Sequence, residues 1–197
     1  MRKFHHHSLK QWRRFAAYKD QSCFSFDDWR FATQVYQADV IRYHIETLRR
    51  LKYRPTGGFC MFALNDAMPM VSWSVLDHNR VPKLGYTALA EACRPVIVTA
   101  DRLPPSMRPG DQIRIALHVV SDLHRELDDA TVTATVESTG DPQVWQFEGS
   151  IAADDCTLVG HVVITAPFAE GPVVLDLTLV SGDVVATNRY HTTVIAN

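Results

Sequence analysis

Hydrophobic positions follow two different rhythms along this 197-residue chain. In the first half, Phe31, Val35, Ala38, Ile41, Ile45 and Leu48 recur at steps of three and four. That is the spacing of one face of a long α-helix. Ser25-Phe26-Asp27-Asp28 supplies its start, because a serine oxygen can accept from the first unpaired N–H groups and aspartates suit the positive end of the helix dipole. Arg49 and Arg50 sit where positive charge is favoured, and Pro55 with Gly57-Gly58 ends the segment. Phe59 to Leu64 (FCMFAL) is an uninterrupted apolar run, which suits a strand buried on both faces; a buried helical turn is the alternative for so short a run. A loop containing Pro69 and Trp73 follows, and Gly85 to Cys93 reads as a second helix.

After Arg94-Pro95 the rhythm changes to a period of two. Ile113, Ile115, Leu117 and Val119 point one way and Arg114, Ala116 and His118 the other. Strand-like segments cover Val96 to Ala100, Gln112 to Val120, Ala130 to Glu137, Val144 to Ile151, Leu158 to Thr165, Val173 to Val180 and Val184 to Ile195. Turn residues separate them, among them Pro109-Gly110-Asp111, Gly140-Asp141-Pro142 and Ser181-Gly182-Asp183. Some seven strands in about 100 residues predict an immunoglobulin-like β-sandwich, without the Cys…Trp…Cys framework of antibody domains. The expected class is therefore mainly β, with residues 1–94 and 95–197 as separate domains. A lone strand between two helices needs neighbours to satisfy its backbone groups, so the first half does not read as a self-sufficient domain.

Composition narrows the function classes. A net charge of -2 with no basic stripe gives no footing for nucleic acid. No apolar stretch approaches the roughly 20 residues of a membrane-spanning helix, and MRKFHHHSLKQWRRF lacks the apolar core of a secretory signal. A cytoplasmic location is expected. Cys23, Cys60, Cys93 and Cys156 form no C-x-x-C pair, so mostly buried free thiols are expected and no zinc site. His5-His6-His7 is too short a ligand set for a metal. No P-loop, G-x-G-x-x-G or H-E-x-x-H occurs, and no cofactor is expected.

Residues 34 to 98 carry the recognisable pattern. In order come Gln37-Ala38, Ile45-Glu46, Arg49-Arg50, Leu64-Asn65-Asp66, Pro69, Ser72-Trp73-Ser74, Asp77, Pro82-Lys83 and Tyr86. This succession resembles the end of the catalytic barrel of family-two glycoside hydrolases, in the β-mannosidase-like branch. The resemblance implies that the long helix is the seventh of a (β/α)8 barrel, Phe59 to Leu64 the eighth strand and Gly85 to Cys93 the eighth helix. It makes the sandwich the β-rich domain that follows the barrel. The chain departs from the pattern where Phe62 and Met68 stand at positions usually held by tryptophan, which alters sugar stacking.

The resemblance further implies a retaining glycosidase acting on β-mannosides or related β-glycosides. Its two catalytic glutamates belong to earlier barrel strands and have no counterpart here, so no catalytic residue is expected in this chain, and by itself it should be inert. Residues at the C-terminal end of a barrel strand line the active site. Phe62, Asn65, Asp66 and Trp73 are accordingly the candidate substrate-binding residues. Asp66 and Asp77 read as loop-holding residues rather than as a catalytic pair. Trp73 suits either a sugar platform or packing beneath the loop, and Glu46 suits an ion pair. The other reading is a carbohydrate- or protein-binding sandwich, with Trp145 and Phe147 on one strand face and with Phe168 and Tyr190. A carbohydrate, and a second copy covering the strand at 59–64, are the expected partners.

Overall fold

A computed structural model describes residues 25–196. Contacts group the described residues into two compact units. One contains the residues up to Leu48 together with Gly58–Cys93, and the other contains Arg49–Gly57 together with the chain from Arg94 onward.

The second unit is a β-sandwich of two antiparallel sheets. Its strands are β1 (Val96–Ala100), β2 (Gln112–Ser121), β3 (Leu127–Glu137), β4 (Gln143–Ile151), β5 (Cys156–Thr165), β6 (Gly171–Ser181) and β7 (Val184–Val194). One sheet has the order β1-β2-β5 and the other β4-β3-β6-β7. The chain therefore crosses between sheets after β2, β4 and β5. Alternation places Ile115, Leu117 and Val119 of β2 opposite Val132, Ala134 and Val136 of β3 and Leu175, Leu177 and Leu179 of β6 in one buried cluster. Leu117, Leu175 and Leu179 are fully buried. Each such leucine contributes about 1.5–3 kcal/mol by leaving water. β5 carries an irregularity in its register opposite Leu117 and His118, and its Gly160 lies against the ring of Phe147. A Cβ at Gly160 would lie 2.4 Å from that ring.

A basic strap belongs to this unit. Arg49 donates to Asp122 at 2.8 Å and to the Arg94 carbonyl at 2.7 Å. Arg50 donates to Asp101 at 2.7 Å. Lys52 reaches Asp122 at 2.7 Å and Asp154 at 2.6 Å, and the Tyr53 hydroxyl donates to Asp154 at 2.9 Å. The Lys52 ammonium is desolvated by burial, yet its bonds to the two aspartates outweigh that and raise its pKa.

Two helices are found among the described residues; the first unit holds one of them up to Leu48 and the other whole. Helix α1 (Phe26–Arg50) opens on the expected box. The Asp28 N–H donates to Ser25 Oγ at 3.1 Å, and the Ser25 N–H donates back to the Asp28 carboxylate at 2.9 Å. Helix α2 (Leu84–Ala92) buries Gly85, Ala88 and Ala92. At Gly85 a Cβ would meet Gln37 and Ile41 of α1 at 3.1 Å, so the missing side chain permits the helices' close approach. Arg42 and Glu91 pair across them at 2.8 Å.

Two expectations are corrected here. Phe59 to Leu64 does not form a strand; the segment runs without a ladder, and Phe62 is 85% exposed. A strand needs neighbours to take its N–H and C=O groups, and none of the described residues provides them. The thiols are not mostly buried either: Cys60 lies in that open segment and Cys93 just beyond α2, and both are exposed. The apolar stripe of α1 is also only partly used. Ile45 is buried, whereas Phe31 and Val35 are exposed.

Candidate functional site

The loop between residue 64 and α2 is built on Asp66. An isolated bridge pairs Asn65 with Leu76, and another pairs Leu76 with Pro82, folding the loop back on itself. Asp77 holds the return: its Oδ1 accepts from the N–H groups of Asn79 and Val81, both at 2.8 Å. Ser72 and Ser74 flank a bend at Trp73, and the Ser74 N–H donates to Ser72 Oγ at 3.0 Å, which brings the two hydroxyls together. They face the buried carboxylate. Ser74 Oγ lies 2.6 Å from Asp66 Oδ1, and Ser72 donates to the same oxygen. The Lys83 ammonium donates to Asp66 Oδ2 at 2.8 Å and to Ser74 Oγ at 3.0 Å.

Burial alone would raise the pKa of Asp66. The hydrogen bonds from Lys83, Ser72 and Ser74, with the lysine's charge, overcome it and hold the carboxyl below its usual range. Asp66 is thus an ionised, caged group. A general acid needs a proton near working pH, and this environment removes it. Asp77 is committed to its turn. Neither residue has the setting of a glycosidase acid; Asp77 bonds the loop backbone, whereas Asp66 is held by side chains.

The other candidates lie on the outside of this loop. Phe62 and Trp73 form a tilted ring pair with centroids 6.1 Å apart. Trp73 is 44% exposed, and its backbone is fixed by Gln37 Nε2 donating to its carbonyl at 2.8 Å. Asn65 is exposed, and its side-chain amide donates to the Asp66 carbonyl at 3.2 Å. The loop therefore brings Phe62 and Trp73 together at the surface and places Asp66 beneath them as an anchor. Sequence reasoning placed Ser72, Ser74 and Lys83 only as pattern positions. The signal that could have exposed their role was the Ser-x-Ser spacing, with a lysine at the mouth of the next helix.

On the helix side of Trp73 is a cleft of about 450 Å³. Trp29, Tyr36, Met70 and Trp73 line it, together with Asp66, Ser72 and Lys83. In the sandwich, Trp145, Phe147 and Tyr190 pack against the core, and Phe168 alone of the four aromatic candidates is exposed, at 87%. No group of three or more metal-ligating side chains occurs among the described residues. His5-His6-His7 and Cys23 lie outside them. No helix among the described residues is long and apolar enough to cross a membrane.

The chain is similar to known hydrolases. It is 32% identical over 104 residues to β-mannosidase B of Aspergillus niger, a match covering 50% of this chain and 12% of that protein. It is 28% identical over 133 residues to β-mannosidase B of Aspergillus terreus, covering 62% of this chain and 16% of that protein. The matches thus span only 12–16% of the length of these curated relatives. They support a glycoside hydrolase relationship. No protein-family model matches the chain. Among solved structures, the sporulation control protein Spo0M of Bacillus subtilis aligns over 52% of this chain and 50% of that chain, at 11% identity and a TM-score of 0.38, which is too low to bear on function.

Proposed function

We propose that this chain is the C-terminal part of a β-mannosidase-like retaining glycoside hydrolase of family two. Residues 1–94 correspond to the end of its barrel, and residues 95–197 to the immunoglobulin-like domain that follows. The observation that carries this reading is the ordered pattern from Gln37 to Tyr86, supported by the similarity to the two β-mannosidases B. The exposed Phe31 and Val35 stripe and the open segment at 59–64 agree with it, since both are surfaces the remaining barrel would cover. A second copy of the chain is a further proposed partner at these surfaces.

In this reading Phe62 and Trp73 present aromatic faces to a β-mannoside, Asn65 adds a polar contact, and Asp66 holds the loop that carries them. A retaining mechanism needs two carboxylates about 5–5.5 Å apart, one as acid/base and one as nucleophile. With Asp66 caged and Asp77 capping its turn, the chemistry falls to glutamates of other barrel strands. The purified chain is expected to release no nitrophenol from nitrophenyl β-mannoside. Replacing the corresponding segment of the Aspergillus niger enzyme with residues 34–98 is expected to give a folded enzyme with measurable activity. A folded but inactive chimera, or turnover by the isolated chain that persists in Asp66→Asn, would overturn the assignment.

A further inference from the structure

We propose that His118 is a proton-operated release for the strap at Arg49–Gly57: when its imidazole takes up a proton, Arg50 leaves Asp101 and the strap opens at that end, while its lysine end stays bound. The proposal concerns the sandwich unit alone and does not depend on the glycosidase reading.

The register of β1 and β2 brings the parts together. Thr99 stands opposite His118. Two residues beyond Thr99, the Asp101 N–H donates to the Ala116 carbonyl at 3.0 Å, and Asp101 Oδ2 accepts from the Ala116 N–H at 3.1 Å. Ala116 and His118 are two residues apart on β2 and share one face of the sheet. Asp101 and His118 are therefore diagonal neighbours across the pair, a separation of about 7–8 Å that long side chains bridge. Arg50 reaches in from the strap. Its guanidinium donates to Asp101 Oδ1 at 2.7 Å, and its side chain is only 15% exposed. The charged groups acting on His118 are thus Arg50 from the strap, Asp101 from the end of β1 and His161 from β5.

Charge makes this arrangement sensitive to one proton. With His118 neutral, Arg50 and Asp101 balance each other. A proton on His118 puts a second cation beside the single carboxylate. Burial already disfavours the imidazolium, the charges of Arg50 and His161 disfavour it further, and Asp101 favours it. Departure of Arg50 removes one repulsion and frees Asp101 to serve His118. The open form therefore binds the proton more tightly than the closed form, so acid favours opening. Because the closed-state pKa lies below the ordinary 6.5, opening sets in below that value. The proton also has a place to point. His118 Nδ1 and the Thr99 hydroxyl are both buried with no protein partner among the described residues, and a hydroxyl can accept as well as donate.

The other attachments do not respond in this range. Lys52 is held by Asp122 at 2.7 Å and by Asp154 at 2.6 Å. The pKa of Lys52 is raised and that of Asp154 is lowered, so this pair stays charged. Arg49 donates to the Arg94 carbonyl, which has no proton to exchange. One attachment yields to acid and the others persist, which makes the strap a hinged flap.

Hydrogen exchange of the full chain at about pH 7.5 and about pH 5, corrected for the intrinsic pH dependence of exchange, tests the release. The reporters are the amides of Lys52, Arg54 and Thr56, all bonded within the strap, and the control is the core of β3 and β6. In acid the strap amides should exchange faster by about threefold or more relative to the core. His118→Gln should abolish that difference, and Arg50→Gln should give the faster strap exchange at both pH values. Circular dichroism checks that each variant is folded. NMR titration of the His118 ring supplies a second measurement: its midpoint should move up in Arg50→Gln, because a repelling charge has gone. Acceleration of strap and core by the same factor, an unchanged acid response in His118→Gln, or an unmoved His118 midpoint in Arg50→Gln would each overturn the proposal.

Discussion

The sandwich and the helical unit bury their apolar residues to different degrees. In the sandwich, alternate residues of β2, β3 and β6 close on one another, and Leu117, Leu175 and Leu179 are out of water altogether. In the helical unit, Ile45 and Val75 are buried, but Phe31, Phe62, Leu64 and Met68 are exposed. Its loop is held instead by a polar feature: a carboxylate bonded by a lysine and two serines. The contrast separates two ways of fixing a chain. Hydrophobic closure is collective, and each residue contributes a share. A buried ion pair is local, and losing either partner strands the other charge.

The largest expected effect follows from that difference. Asp66→Ala leaves the Lys83 ammonium, whose side chain is 12% exposed, without its counter-charge. About 3–5 kcal/mol of stability should be lost from the helical unit, read as faster amide exchange in α2. Asp66→Leu combined with Lys83→Met should restore much of it, because no charge then remains buried. If the single and double variants exchanged alike, the cage would not be what holds the loop.

Next in size is a core deletion set against a surface one. Leu175→Ala should cost about 2–5 kcal/mol in urea unfolding of the sandwich, by removing buried methyl groups and leaving a cavity. Phe62→Ala removes a larger side chain and should change stability by less than about 0.5 kcal/mol, because the ring is already in water. Similar losses from both would mean that Phe62 is covered in solution.

The smallest effect is pH-dependent and falls in a different window for each unit. His118 is pushed below its usual value of 6.5, first by burial and then by the charge of Arg50; Asp101 opposes this and His161 adds to it. Its folded state thus binds a proton more weakly than its unfolded state. The sandwich should lose stability as pH falls below about 6.5, levelling off once the folded pKa is passed. His118 Nδ1 is buried without a protein partner, and across the β1–β2 pair stands Thr99, whose hydroxyl is in the same position. Asp66 has a depressed pKa, so its contribution is present above the usual carboxylate range and is lost only as pH falls through the lower folded value. Thermal melts from pH 7.5 to 5 should therefore lower the sandwich transition and spare the helical one, and His118→Gln should flatten the slope.

Legibility in the sequence follows the same division. The seven strands could be read from alternation because each has its hydrogen-bonding partner within the same hundred or so residues. The start of α1 could be read from Ser25 and Asp28 because capping is local. Phe59 to Leu64 misled because its composition describes a buried strand, and burial depends on neighbours that composition does not contain. Asp66 was legible as a loop residue but not as an ion pair, since its lysine stands seventeen residues on, across two reversals of the loop. The attachment of Arg49 and Lys52 to Asp122 was hidden for the same reason, at separations of 73 and 70 residues.

That attachment bears on inheritance. Arg49–Gly57 precedes α2 in the chain yet belongs with the sheets that begin at Val96. A gene segment encoding only residues 95–197 would carry Asp101, Asp122 and Asp154 into a new host and leave their cations behind. The sandwich is therefore a poor cassette for exon-like exchange. A transfer that keeps it neutral must start upstream of Arg49, bringing the second helix along as a passenger.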